Sequence, residues 1–292
     1  MSARVSTRLK LYDRVAEDAA SIVIRNYSTS FSAASRLLGP DVRQHVENIY
    51  ALVRIADEIV DGGAEEAGLD LLATSRQLNE LERETELAIE QGFSANLIVH
   101  AFALTAREVS FGAELTAPFF ESMRMDLSAK EHDQESFERY VYGSAEVVGL
   151  MCLCAFLHGH DVSDEQRAKL EHGARALGAA FQKVNFLRDL ADDFESLGRS
   201  YFPGIDVATF TEEEKLRLLD DLDADLRDAA IGSELPQSSK KAVALAHSLF
   251  AQLSKRIRAT PANELVRTRV RVPDVVKLRL AAAAAIGVGP RP

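Results

Sequence analysis

Apolar residues recur along this chain at steps of three and four almost without a break, and runs of two-residue alternation are few. That period belongs to helices rather than strands. Residues 10 to 26 predict a first helix with Leu11, Val15, Ala19, Ile22 and Val23 inward. The following YSTSF, Tyr27 to Phe31, sets hydroxyls beside an aromatic ring, and Ser28 and Ser30 are of the type that caps the next helix. Asp41 is expected to cap a helix that runs through HVENIYALVRIADEIV and stops at Gly62-Gly63. Residues 65 to 91 predict a polar helix; 93 to 112 and 116 to 127 predict apolar ones, the second opened by Pro118. A charged loop, Ser128 to Gln134, leads into a long apolar helix from Ser136 that carries Gly143, Ser144, Ala145 and Gly149. Residues 165 to 195 predict the longest helix. Thr211 then caps an acidic helix to about Ala230, Pro236 opens another reaching Arg258, and an Ala-rich helix follows Pro273. With no linker, low-complexity tract or fixed-period repeat, the pattern predicts an all-α chain with one domain over residues 1 to 292, its core about 10 to 286.

Two of these helices carry acid on one face. In FQKVNFLRDLADDFESLGRSYFP, from Phe181 to Pro203, the residues Gln182, Asn185, Asp189 and Asp193 share a stripe with no Lys or Arg on it. Arg188 sits about 100° around the wheel from Asp189. Upstream, Tyr50, Arg54, Asp57 and Asp61 share a face of a helix whose apolar residues cover roughly 200° of the wheel, well beyond an ordinary surface stripe. Like charges one turn apart destabilise a helix by a few tenths of a kcal/mol unless solvated or neutralised. The narrow polar arc therefore predicts that the acids face a lined cavity.

Charge and cysteine usage narrow the function classes. The 292 residues carry 34 basic and 45 acidic side chains, a net charge of −11, which disfavours nucleic acid as a partner. From Ser254 onward there are nine Lys or Arg against two Asp or Glu, a basic tail suited to phosphates or to peripheral contact with an anionic membrane. Cys152 and Cys154 are spaced for neither a disulfide framework nor a zinc site and read as core cysteines of a reducing compartment. No signal sequence is legible and the apolar run at Gly149 to Leu157 is short for a bilayer span, so a cytoplasmic location is expected.

Two carboxylate pairs around an apolar cavity suit hard divalent cations, which complete their coordination with water and phosphate oxygens. Mg²⁺ neutralising a diphosphate leaving group beside a greasy, water-free chamber is the arrangement of an enzyme acting on prenyl diphosphates.

The segments YSTSF, YALVRIADEIVDG, YVYGSAEVVGLM and QKVNFLRDLADDFESLGRSYFP together resemble the squalene/phytoene synthase family, nearly over the full length to Lys277. The last segment, with paired aspartates and the trailing R-x-Y-x-P, is the most specific. The resemblance implies an isoprenoid-synthase helical fold and head-to-head joining of two prenyl diphosphates. It implies metal binding by Asp57, Asp61, Asp189 and Asp193, with Asn185, for Mg²⁺ or Mn²⁺ as a substitute. Tyr50, Arg54, Gln182, Arg188 and Arg199 match positions that hold diphosphate or its metals. Ser28, Ser30 and Phe31 match the entry segment, Tyr140 and Tyr201 match site tyrosines, and Arg269 and Lys277 match C-terminal basic positions. One allylic diphosphate would ionise and be attacked by the double bond of the second, and proton loss would give a cyclopropylcarbinyl diphosphate. That intermediate would ionise, rearrange and lose a proton to give a triene. Among the family's activities the expectation is condensation of two C20 geranylgeranyl diphosphates to phytoene without NADPH; the alternative is a C15 reaction on farnesyl diphosphate.

Three features depart from the family pattern. Ala145-Glu146 replaces Ala-Gly, SAKEHD lacks an Arg-Tyr, and Phe250 stands where Tyr is frequent. They bear on substrate length and terminal chemistry, and leave the four aspartates intact. A non-catalytic assembly factor of the same fold would be expected to lose those aspartates. A metal-storing bundle would be expected to show Glu-x-x-His pairs, which are missing here.

Overall fold

The computed structural model describes residues 6–128, 131–192, 201–229 and 234–285, so Asp193 and Arg199 lie outside the described residues. Within them the regular elements are helices: α1 (Ser6–Tyr27), α2 (Thr29–Ser35), α3 (Pro40–Val60), α4 (Gly63–Glu66), α5 (Leu71–Gln91), α6 (Leu97–Val109) and α7 (Ala113–Ser128). They continue with α8 (Gln134–Val141), a π-turn (Tyr142–Glu146), α9 (Val147–Leu157), α10 (Asp164–Asp192), α11 (Glu212–Asp228), α12 (Gln237–Ala259), α13 (Ala262–Leu265) and α14 (Asp274–Ala285).

Local chemistry sets most boundaries. Ser28 caps α2 by accepting from the Phe31 amide at 3.1 Å, and Thr211 with Glu214 forms a capping box at α11. Asp41 does not cap α3. Gly39 holds the N-cap position without a side-chain bond and Pro40 takes the first turn, where its missing N–H costs nothing. Asp41 acts instead as a first-turn acid against the helix dipole. The polar helix expected over 65 to 91 divides near Gly68, which turns at φ +88°, and Asp70 caps α5. Pro118 lies inside α7 rather than at its start. The inward face of α1 also differs from the expected one: Ala16, Ala20 and Ile24 are buried while Leu11, Val15 and Ile22 are exposed, because the small residues let α1 pack closely on Ala51 of α3 and Ala101 of α6.

The apolar helix from Asp133 is also more elaborate than its sequence suggests. Asp133 caps α8 through the Ser136 amide at 2.8 Å, and the π-turn then joins α8 to α9. Gln134–Leu157 is long and apolar enough to cross a membrane by length and composition, yet half of its apolar window is buried inside the fold.

Two apolar clusters meet across the cavity. One gathers α3, α5, α6, α7 and α9 around Leu52, Phe102, Phe119, Phe120 and Met151. The other gathers α8, α10, α11, α12 and α13 around Val184, Leu187, Leu219, Leu245 and Ile257. α10 borders both the cavity and the second cluster, and its Gly178 allows close approach to the π-turn: a Cβ there would stand 2.5 Å from the Ala145 carbonyl oxygen. Gly149 of α9 meets the Ala174 carbonyl of α10 at the same distance. The small residues thus serve both close helix contact and space for a ligand, since Gly149, Gly178, Ala145 and Ala174 all line the cavity.

Candidate active site

The cavity between the clusters has a volume of about 1010 Å³. Its walls are mainly apolar and its rim is charged. α3 presents Tyr50, Arg54 and Asp57 to it at steps of four and three, so the helical stripe legible in the sequence does face a chamber. α10 presents Gln182, Asn185 and Arg188 from the other side. Arg269 and Lys277 enter from the C-terminal segment, which the sequence placed only by resemblance.

Asp57, which lines the cavity, and Asp189, held beside it, are each met by guanidinium, while Asp274 on the lining pairs with Lys277. Arg54 holds Asp57 at 2.5 Å and also pairs with Glu58, a partner the sequence reading missed. Asp189 accepts from Arg188 Nε at 2.9 Å and lies 2.7 Å from Arg269 Nε. The angular separation of Arg188 and Asp189 on the wheel therefore did not keep them apart, because the flexible arginine stem folds back across one residue. Asp61 is the C-cap of α3, an exposed position whose amide donates to the Asp57 carbonyl at 2.9 Å. Burial, followed by the charge of Asp61, pushes the Asp57 carboxyl up to about 7.

The donor set fits a hard divalent cation. Asn185 Oδ1 is buried without a hydrogen-bond partner among the described residues, and so is Arg54 Nε. Orphaned buried polar atoms are rare in folded proteins and mark places where a ligand completes the bonding. Carboxylate and amide oxygens are the ligands such a cation prefers. Among the described residues no three His, Cys, Asp or Glu side chains cluster closely enough to hold a metal by themselves. Asp57 and Asn185 both line the cavity, Asp189 lies beside it against Arg188 and Arg269, and Asp193 lies outside the described residues.

Below the rim the wall is aromatic. Phe31 packs 5.9 Å from Tyr50, 6.1 Å from Phe181 and 6.0 Å from Phe250, and Phe181 and Phe250 stack at 3.7 Å. Phe250 is therefore part of the chamber itself. Ser28 both caps α2 and hydrogen-bonds the Tyr50 hydroxyl. Ser30 lies within α2, its side chain outside the description. Glu146 turns away from the chamber to pair with Arg175 at 2.7 Å. Cys152 lines the chamber as a free thiol that burial pushes up to about 12, which leaves it unreactive.

Tyr140 also lines the chamber, and its hydroxyl donates to Asp126 at 2.9 Å; Tyr201, buried behind it, donates to the same carboxylate at 3.4 Å. Asp126 was missed in the sequence. The signal was there: on α7 it shares the buried face of Phe119 and Met123, where an acid is out of place.

A model of the squalene/phytoene synthase family matches residues 24–275. The chain belongs to that family. Its members are prenyltransferase-type enzymes acting on prenyl diphosphates. The chain is 28% identical over 281 residues to a 15-cis-phytoene synthase of Paracoccus sp., covering 90% of this chain and 86% of that protein. It is 30% identical over 236 residues to the chloroplastic phytoene synthase 3 of Zea mays, covering 79% of this chain but only half of the maize protein. In fold it is similar to a dehydrosqualene synthase crystallised with a ligand, with a TM-score of 0.75 at 20% identity over 93% of this chain and 96% of that one. The likeness confirms the all-α isoprenoid-synthase fold expected from the sequence.

Proposed function

We propose that this chain condenses two geranylgeranyl diphosphates head to head, through a cyclopropylcarbinyl diphosphate, to phytoene. The observation that carries the reading is one cavity of about 1010 Å³ with apolar walls and a rim of Asp57, Asn185, Arg54, Arg188, Arg269 and Lys277. Its volume stands at the upper end of ordinary small-molecule sites, as two long chains require. The likeness to phytoene synthases of Paracoccus and maize supports the C20 choice. A C15 reading finds support in a relative from Staphylococcus haemolyticus named 4,4′-diapophytoene synthase, 29% identical over 182 residues.

In this reading Asp57, Asp61, Asn185, Asp189 and Asp193 hold Mg²⁺, or Mn²⁺ in its place. When bound, the cation stabilises the negative charge that develops on the departing diphosphate. The protein's own groups do the rest. Arg54, Arg188 and Arg269 offer planar guanidinium donors to phosphate oxygens, and Lys277 adds a point charge. The Phe31, Phe181 and Phe250 faces exclude water, which would quench a carbocation, and stabilise positive charge through their π electrons.

The test is a product assay with purified protein, Mg²⁺ and detergent, given geranylgeranyl or farnesyl diphosphate, with and without NADPH. A C40 hydrocarbon from the C20 substrate without NADPH is expected, and chelation should stop it until Mg²⁺ is restored. A C30 product would replace the C20 assignment by the C15 one. Consumption of neither substrate would refute the enzyme reading.

A further inference from the structure

One polar group near the chamber has no part in the reaction as described so far. Asp126 is 7% exposed, on α7 behind the wall, while Tyr140 at 3% exposure stands between it and the chamber. The Tyr140 hydroxyl donates to Asp126 Oδ2 at 2.9 Å and that of Tyr201 to Oδ1 at 3.4 Å. Among the described residues aromatic rings pack around the two phenols: Phe186 stacks on Tyr201 at 4.1 Å, and His132 lies 6.0 Å from Tyr201, nearly parallel, and 5.2 Å from Tyr140. His132 comes from the SAKEHD loop that departs from the family pattern. A buried carboxylate is costly unless hydrogen-bonded, and phenol donors to both of its oxygens hold its charge. Burial, reinforced by that charge, raises the Tyr140 phenol well above its ordinary range, so it is neutral and its proton is already directed at the carboxylate.

We propose that Tyr140 and Asp126 form a proton relay in which Tyr140 takes the proton lost by the carbocation and Asp126 receives the phenol's own. The inference rests on the condensation reading given above. In the step, a carbon–hydrogen bond beside the cationic centre breaks and its electron pair closes the new carbon–carbon bond. The released proton adds to Tyr140 Oη as the phenolic proton passes to Asp126 Oδ2. A cationic skeleton and a carboxylate become a neutral skeleton and a carboxylic acid, and no oxidant or reductant is needed. When product leaves, the acid returns its proton through the phenol to water entering the chamber. Asp126 touches no substrate and acts entirely through Tyr140.

Asp126→Asn keeps the side-chain volume and removes the ability to accept a proton. It should be assayed with Mg²⁺ and each prenyl diphosphate, alongside Tyr140→Phe and Asp126→Glu. Diphosphate release, hydrocarbon formation and the isotope effect of deuterium at the diphosphate-bearing carbon are measured. With melting temperature near the parent's, Asp126→Asn should still release diphosphate while hydrocarbon falls roughly 10²–10⁴-fold, the share general-base catalysis supplies. The isotope effect should rise above the parent's, because proton loss becomes limiting, and Asp126→Glu should restore part of the hydrocarbon. A parallel fall of diphosphate and hydrocarbon with an unchanged isotope effect would overturn the relay, as would parent-level hydrocarbon from Asp126→Asn. If Asp126→Asn does not fold, a folded Asp126→Glu with no hydrocarbon overturns it. A parent protein that consumes neither substrate refutes the condensation reading and the relay with it, whereas an active parent and an indifferent variant refute the relay alone.

Discussion

Single residues at the rim are arranged to hold charge that the fold would otherwise avoid. Asp57 and Asp189 each sit against arginine, and Asn185 Oδ1 faces inward without a donor among the described residues. Replacing either aspartate by Ala should leave the helical spectrum unchanged and lower turnover by about 10²-fold or more, since metal-assisted charge stabilisation is worth several kcal/mol. Circular dichroism with a diphosphate-release assay would check this; near-parent activity in both variants would remove them from the metal site. Two imidazoles give a pH signature. Burial holds His45 and His132 below the usual histidine range. Unfolding lets them protonate near their ordinary value of about 6.5, so the unfolded state binds more protons in acid. Their contribution is present above that value and is lost as pH falls through the lower folded values. Asp57, whose folded carboxyl at about 7 lies above its unfolded value, contributes the opposite slope over this range, so the histidine signature is read as a difference: from about pH 7 to pH 5 the parent's melting temperature should fall relative to that of His132→Phe, which keeps a ring against Tyr201. Arg54, Asp57, Gln182 and Asn185 could be read from helical steps. The Arg269–Asp189 pair and the Tyr201–Asp126 bond, between residues 80 and 75 apart in sequence, could not.

At the scale of elements, the glycines of α9 and α10 decide how close the chamber walls come. Gly178→Ala would push a methyl group to 2.5 Å from the Ala145 carbonyl oxygen. The expected cost is about 1–3 kcal/mol, seen as a lower melting temperature and denaturation midpoint. A substitution with no loss would mean that α10 can shift away from the π-turn. The sequence showed that small residues cluster here but not which carbonyl each faces, because helix register against a neighbour is set by packing. The π-turn escaped the reading for the same reason. Its extra residue leaves the apolar pattern intact while Ser144 and Ala145 reach the chamber. Lys215 is a third case: fully buried on a helix whose sequence reads only as acidic, it donates to the carbonyls of Arg258 and Thr260 and so closes the end of α12.

For the whole molecule, chamber length is the quantity tied to substrate. Its lining along α10 extends from Arg188 at the rim to Leu170, about 27 Å at 1.5 Å per residue. Phe156 of α9 and Val243 of α12 join Leu170 at the far end. Ala174→Phe, one turn from that end, should fill the terminal space and cut use of the C20 substrate relative to the C15 one by roughly tenfold or more. Competition between the two diphosphates would measure the ratio, and an unchanged ratio would place the chain ends elsewhere.

The sequence by itself determined that the chain is helical, where most helices begin and end, and that two acidic stripes belong to apolar helices. These follow from periodicity, caps and local charge, all carried by residues within a few positions of each other. Only the tertiary structure decided that Tyr50, Arg54 and Asp57 share one chamber with Gln182, Asn185 and Arg188, that arginines from three segments meet Asp57 and Asp189, and that Asp126 stands behind Tyr140. Those facts depend on how helices distant in sequence are rotated and spaced against one another, and that is fixed by packing of the whole core rather than by any local pattern.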